Sequence, residues 1–461
     1  MAHRTLLRGG DAVLPSGTDR VDVLLDGGTL QIAPPSTVQA DEILDCTGML
    51  IFPGVIDDQV HFRDPGLTHK EDLRTGTRAA AAGGVTTVLE MPNTKPATAT
   101  AELWEAKNRI AEEKCVTNWG FYLGATPHNL DVLKAADMSR TPGIKIFIGS
   151  STGDLLVDSQ EALEGIFAET TLPLCAHCED ETTVRANRER VRARLGEPPW
   201  PFRVHSDVRD EPAAVISVTR AVDLATRHNH RFHVLHVSTA GELAVLREAG
   251  SLLTAEVCPH HLLFDCDDYD RLGSKVQMNP SVKSAADRSA LWSALAAGDP
   301  IQVVATDHAP HTLEEKAAAY PDSPSGLPAV ENCLSLMLTH GPANGVTPRR
   351  LAAAMCDAPA RVWGLIGKGR LENGYDADVC VVDPHATFTV RNEEQFTKTG
   401  WSPWEGETLT GRVTDTFVGG RRAFTRRGGT ATVDESVRGR AVRCDHARGG
   451  FHATPDGIGL A

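Results

Sequence analysis

No interior stretch of this 461-residue chain is long and apolar enough to cross a bilayer, and Met1-Ala2-His3-Arg4-Thr5 is followed by no signal-peptide core. Both absences point to a soluble, cytoplasmic protein with no membrane partner. Concentrated positive charge is missing as well. The net charge is −15, and Lys and Arg gather only in the short group Arg421, Arg422, Arg426 and Arg427, which reads as a solvated surface. Phosphate backbones need a basic face, so nucleic acid is excluded as a partner. Paired cysteine spacing is nearly absent. The ten cysteines stand singly in apolar contexts such as Leu174-Cys175-Ala176 and Val379-Cys380-Val381, as reduced core thiols do. Cys175-x-x-Cys178 has the spacing of a redox or zinc pair but lacks a second pair to complete it. Repeats are absent, and Gly149-Ser150-Ser151-Thr152-Gly153 lacks the P-loop pattern of a phosphate cradle.

What is present is length enough for one large α/β barrel and a smaller domain. Residues 1–53 carry short alternating segments, Thr5-Leu6-Leu7-Arg8 and Val21-Asp22-Val23-Leu24-Leu25, separated by Gly and Pro, and predict part of a small β domain. From residue 54 to 360, apolar strands alternate with helical stretches. The predicted strands are Val55 to His61, Thr86 to Met91, Asn118 to Gly124, Gly143 to Ile148, Leu172 to His177, Arg231 to Val237, Leu252 to Val257 and Ile301 to Asp307. Helical segments such as Ala101 to Lys114, Glu211 to His228 and Ala285 to Ala297 lie between them. Eight such units predict a (β/α)8 TIM barrel whose chemistry collects at the C-terminal strand ends. Short strands return over residues 361–430 and should join those at the N-terminus in a discontinuous β-sandwich domain. The Arg- and Gly-rich residues 431–461 predict a weakly ordered tail.

Polar residues fall where a barrel displays chemistry. The apolar entry Leu50-Ile51-Phe52-Pro53-Gly54-Val55-Ile56 leads into Asp57-Asp58-Gln59-Val60-His61-Phe62-Arg63, where period two puts Gln59, His61 and Arg63 on one face. His61 ends the first strand, Lys145 lies in the fourth, His177 ends the fifth, His236 lies near the end of the sixth and Asp307 ends the eighth. Singly each is an ordinary strand-end residue; together, imidazoles and a carboxylate on one rim are the ligand set of a hydrolytic zinc site. Lys145 is odd in the apolar run Gly143-Ile144-Lys145-Ile146-Phe147, since a buried ammonium is costly unless paired. Either its head reaches water at the rim, or its neutral amine has reacted with carbon dioxide to give a metal-bridging carbamate.

The chain resembles the class I-like dihydroorotases of the amidohydrolase superfamily over nearly its whole length. The resemblance rests on His61-Phe62-Arg63-Asp64-Pro65-Gly66, Ala82-Gly83-Gly84-Val85-Thr86-Thr87, Met91-Pro92-Asn93-Thr94, Ala176-His177-Cys178-Glu179, His236-Val237-Ser238-Thr239 and Thr306-Asp307-His308-Ala309-Pro310-His311, in that order. Lys368-Gly369, Gly374-Tyr375-Asp376-Ala377-Asp378 and Gly400-Trp401-Ser402-Pro403 follow the same pattern. It implies a metal centre of His61, Lys145 as carbamate, His177, His236 and Asp307. It further implies substrate contacts from Arg63, Asn93, Asn279 and His311, with Asp307 as the catalytic proton carrier. The implied reaction is the reversible cyclisation of N-carbamoyl-L-aspartate to dihydroorotate in pyrimidine (UMP) biosynthesis, whose carboxylate suits a bidentate Arg.

One departure bears on the metal. Gln59 stands where the family pattern has the first His of His-x-His, and an amide oxygen is a weaker ligand than imidazole. One Zn2+ should therefore be held tightly, with the second weak or absent. Some family members bridge with an Asp, for which Asp154 is the candidate here. The alternatives are another cyclic amidase, a dihydropyrimidinase or allantoinase, and a noncatalytic scaffold subunit associating with aspartate carbamoyltransferase. A small-molecule substrate and a homodimer are expected.

Overall fold

The structure, a computed structural model, describes residues 3–149, 155–249 and 252–447. The central part is a parallel barrel of eight strands with helices outside. Its strands are Val55–Val60, Val85–Glu90, Asn118–Phe121 continued by Leu123–Gly124, Ile144–Ile148, Leu174–Cys178, Phe232–Val234, Leu253–Val257 and Val303–Val304. Every residue of Ile144–Ile148 and of Leu174–Cys178 is buried, as expected for parallel strands covered on both faces. The third strand joins the two sheets that make up the ring: Asn118–Phe121 pairs with Val85–Glu90, and Leu123–Gly124 pairs with Ile144–Ile148. The ring closes where Val60 bridges His308 in parallel register and the His61 N–H donates to the His308 carbonyl at 2.8 Å.

Helices begin where a side chain can satisfy their free N–H groups. Asp72 caps Leu73–Ala82, Asp180 caps Glu181–Leu195, Asp210 caps Glu211–Arg227 and Ser284 caps Ala285–Ala297. Several of these caps end loops that carry polar residues at the barrel mouth, so they also set where those loops stop. No described helix is long and apolar enough to cross a membrane.

Both ends of the chain supply one nine-stranded sheet, in which Leu50–Pro53 runs antiparallel to Val379–Thr389 and parallel to Arg4–Leu14. Gly54 is the corner between this sheet and the barrel, and a Cβ there would lie 2.1 Å from Thr86 Oγ1, so only glycine fits. The register of Leu50–Pro53 thus sets the start of the first barrel strand.

Two expectations need correction. The sixth and eighth strands end at Val234 and Val304, earlier than the predicted Val237 and Asp307. The chain turns there through left-handed conformations at His236 (φ 39°) and Asp307 (φ 45°), which a strand cannot include. The tail is also held, as far as residue 447. Strand Thr430–Val433 completes the sheet, and residues 437–446 then run across the far end of the barrel. There Val442 N–H donates to Trp119 O at 2.8 Å, Cys444 N–H to Ser139 O at 2.8 Å and Asp445 N–H to Gly364 O at 2.8 Å. The polar composition of this segment hid the apolar residues Val437 and Val442, each 1% exposed, that anchor it.

Val442 packs in one cluster with Tyr122, Leu235 and Trp363 at the barrel floor. Val442→Ala should therefore cost about 1–2 kcal/mol of stability by loss of buried methyl groups. Denaturant unfolding measures it, and a midpoint equal to that of the parent would mean the strap does not seal the floor.

Candidate active site

The barrel closure brings His61 and Asp307 together. His61 Nδ1 lies 2.7 Å from Asn93 Oδ1, and because an amide oxygen only accepts, this nitrogen carries the proton. His61 Nε2 then turns a lone pair toward Asp307 Oδ1, 2.9 Å away. Two electron pairs at that distance require a positive charge between them, either a proton or a metal ion. Burial pulls the His61 imidazolium below its ordinary range against the opposing pull of Asp307, which disfavours the proton. Gln59 Nε2 donates to the same Asp307 oxygen at 3.2 Å, and its Oε1 is buried with no hydrogen-bond partner.

A second pair sits across the mouth. His177 Nδ1 and His236 Nε2 lie 3.1 Å apart with their rings edge to face. His177 Nε2–H donates to Glu179 Oε2 at 2.9 Å, which fixes the tautomer and leaves Nδ1 as a lone pair facing His236. Burial alone would push Glu179 up, but the Arg209 guanidinium on the same oxygen and the His177 ring hold it well below the usual carboxylate range. Burial pulls both His177 and His236 below the ordinary imidazole range, Lys145 beside His236 further opposes a proton there, and His236 Nδ1 has no partner. Lys145 is buried near this group, its Nζ 4.5 Å from the centre of the Phe147 ring, and burial lowers its affinity for a proton. The convergent imidazole lone pairs, the carboxylate and the unpartnered buried atoms are a donor set that fits a divalent cation.

The four residues expected to hold substrate divide. Arg63 (φ 64°) stands beside the first pair, 8% exposed, with Nε unpartnered. Burial lowers its guanidinium to about 10, still charged at neutral pH. His311 is next to it, Nη2 to Nε2 3.4 Å, but both of its ring nitrogens are engaged: Nε2–H donates to Ser325 O at 3.0 Å and Nδ1 accepts from Lys70 Nζ at 3.0 Å. Asn93 touches His61, as above. Half-buried Asn279 is tied to His205, whose Nε2 lies 3.1 Å from its Oδ1 and 2.7 Å from Met278 O. Asp154 and the loop residues 150–153 lie outside the described residues. Cys175 and Cys178 remain free buried thiols, Cys178 pushed up by burial to about 12.

Sequence reasoning left Glu179, Arg209, Lys70 and His205 without a role. Glu179 follows His177 by two residues, and that spacing on a strand end was the available signal. Lys70 comes from a distant loop, and His205 and Arg209 from the short helix Val204–Val208 and its end, and these three had none. A further buried group, Asp58, His233 and Glu256, lies deeper in the barrel. There His233 Nδ1 meets Thr254 Oγ1 at 2.7 Å and Nε2 meets Glu256 Oε2 at 3.1 Å, while Trp363 Nε1–H donates to Asp58 Oδ2 at 2.7 Å. Glu256 Oε1 accepts the His236 N–H at 3.2 Å, so this network supports the backbone of the second pair.

His205 makes the electrostatics of the mouth testable. Burial lowers it from an ordinary 6.5 to about 3. Below pH 6.5 the unfolded chain binds a proton at His205 that the folded chain refuses, so this residue makes stability fall as pH falls. His205→Gln removes that term. The stability gap between parent and variant should narrow by about 2 kcal/mol between pH 6.5 and about 5, read from urea unfolding at each pH. A constant gap would contradict a buried, neutral His205.

Known proteins resemble this chain along its length. The amidohydrolase family profile matches residues 50–423. A dihydroorotase of Methanothermobacter thermautotrophicus is 34% identical over 406 residues, 87% of this chain and 90% of that one. An allantoinase of Deinococcus radiodurans is 33% identical over 460 residues, 96% of this chain and 99% of that one. Among solved structures, the L-hydantoinase (dihydropyrimidinase) from Arthrobacter aurescens superposes with a TM-score of 0.90 at 27% identity, covering 96% of this chain and all of that one. With a barrel of this topology and donors converging at its mouth, the chain belongs to the amidohydrolase family, and its chemistry is the hydrolysis of cyclic amides.

Proposed function

We propose that this chain is a dihydroorotase, interconverting N-carbamoyl-L-aspartate and (S)-dihydroorotate in pyrimidine biosynthesis. The observation that carries the reading is Arg63, a buried guanidinium beside the His61–Asp307 pair with Lys70 one step further out. A ring bearing a carboxylate gives that guanidinium a bidentate partner; a neutral ring would leave it desolvated and unpaired. Zinc would be held by His177, His236 and a carbamate on Lys145 at one position, and by His61 and Asp307 at the other. When bound, such an ion polarises the ring carbonyl and lowers the pKa of water from about 15.7 to about 7. The lowered proton affinity of Lys145 supports the carbamate, since only the neutral amine adds to carbon dioxide, releasing one proton. Asp307 carries the proton from the attacking water to the departing ring nitrogen. Arg63 orients the substrate carboxylate, Asn93 holds the His61 tautomer and offers its amide N–H groups to the ring, and His311 holds Lys70 in place. A second reading, turnover of hydantoin or allantoin, is favoured by the hydantoinase and allantoinase likenesses.

Substrate kinetics separate the readings. Arg63→Lys should raise the KM for dihydroorotate about 10–100-fold, because a point ammonium cannot reproduce the two-pronged contact. Turnover of hydantoin but not of dihydroorotate by the parent protein, or an unchanged KM in the variant, would transfer the assignment to the neutral-ring amidases.

Gln59 governs the second metal position. Gln59→His should raise metal content after dialysis by up to about one equivalent per chain, since imidazole is the better zinc ligand. Equal metal content in parent and variant, resistant to mild chelation in both, would show that the amide does not weaken the site.

A further inference from the structure

A third set of ligand-type side chains is not used by the site described above. Strand Leu253–Val257 ends at Cys258, which begins the short helix Pro259–Leu263 carrying His260 and His261. One ligand atom from each of Cys258, His260 and His261 lies within 4.8 Å of the others, and all three residues are buried, at 0%, 0% and 3% exposure.

Hydrogen bonding leaves these atoms unexplained. His261 Nε2–H donates to the Pro280 carbonyl at 3.1 Å, so Nδ1 is a lone pair, and it has no partner. Neither ring nitrogen of His260 has one. The Cys258 thiol makes no helix-cap hydrogen bond although it occupies the cap position. Buried imidazole nitrogens normally find a donor or acceptor, and the deeper His233 does so at both of its own. A carbonyl-anchored imidazole with its other nitrogen free is the arrangement found at metal-ligating histidines.

We propose that Cys258, His260 and His261 form a further site for a borderline-soft divalent cation of the zinc or cobalt type, separate from the pair of positions at the barrel mouth. One thiolate and two imidazoles select such an ion over the hard cations that prefer oxygen. Binding forms a metal–sulfur bond as the thiol proton leaves to solvent. The site adjoins His236, whose ring is close enough to feel both His260 and His261. An ion here stiffens the turn after the seventh strand. The inference does not depend on the identity of the substrate.

Cobalt spectroscopy reads this site apart from the catalytic one, whose proposed ligands contain no sulfur. The full chain is stripped with chelator, reloaded with Co2+ and examined for the near-ultraviolet thiolate-to-cobalt charge-transfer band. The parent should show the band and Cys178→Ala should keep it. Cys258→Ser and His261→Gln should each lose it, together with about one equivalent of tightly held metal. The two variants are made separately, so that misfolding of one leaves the other to decide. No band in the parent, or a band that survives Cys258→Ser or disappears in Cys178→Ala, would overturn the assignment whatever substrate the enzyme turns over.

Discussion

Closure of the barrel between Val60 and His308 is the contact on which the rest of the molecule depends. It joins residues nearly 250 positions apart, as the sequence separation of 248 between Gln59 and Asp307 shows. Without it, His61 and Asp307 would sit at opposite edges of an open sheet. The closure is itself constrained from below. Leu50–Pro53 is locked between strands from both termini, Gly54 admits no side chain, and the strap through Val442 seals the floor. Stability at the bottom of the barrel thereby fixes chemistry at the top.

The mouth shows where that stability is spent. Arg63, His236 and Asp307 are three of the five non-glycine residues with positive φ among the described residues. Each such conformation costs on the order of 1–3 kcal/mol, and it persists because the surrounding packing leaves no alternative. Left-handed turns at these positions aim the side chains inward just beyond the strand ends. The electrostatics are similarly forced. Burial lowers the proton affinity of His61, His177 and His236 while the Arg209–Glu179 pair holds His177 in one tautomer. Neutral imidazoles facing each other or a carboxylate form a poor hydrogen-bonded core but a good cation cradle.

Gln59 takes on a different character in three dimensions. As a letter in a motif it is a weak replacement for a histidine. In the folded chain its amide nitrogen donates to Asp307, the residue proposed to move the proton, and its oxygen is left buried and unpartnered. The same side chain that leaves an amide oxygen unpartnered also restrains Asp307, so a substitution at Gln59 alters both at once.

Pattern alone determined much of this protein. Fully buried strands read as continuous apolar runs, helices announce themselves by Asp and Ser caps, and their alternation dictates a parallel barrel with its ends in a β domain. His61, Lys145, His177, His236 and Asp307 were legible because strand ends in such a barrel converge. What the sequence could not carry is anything decided by side chains meeting from distant segments. Arg209 on Glu179, Lys70 on His311, His205 on Asn279, and the Val442 strap across the floor have no local signature, since period and spacing encode only which face a residue takes on its own element. Whether Cys258, His260 and His261 point together or apart was likewise open, because adjacent residues of a helix diverge by about 100° and only the packing of the turn after the seventh strand brings their ligand atoms within reach of one another.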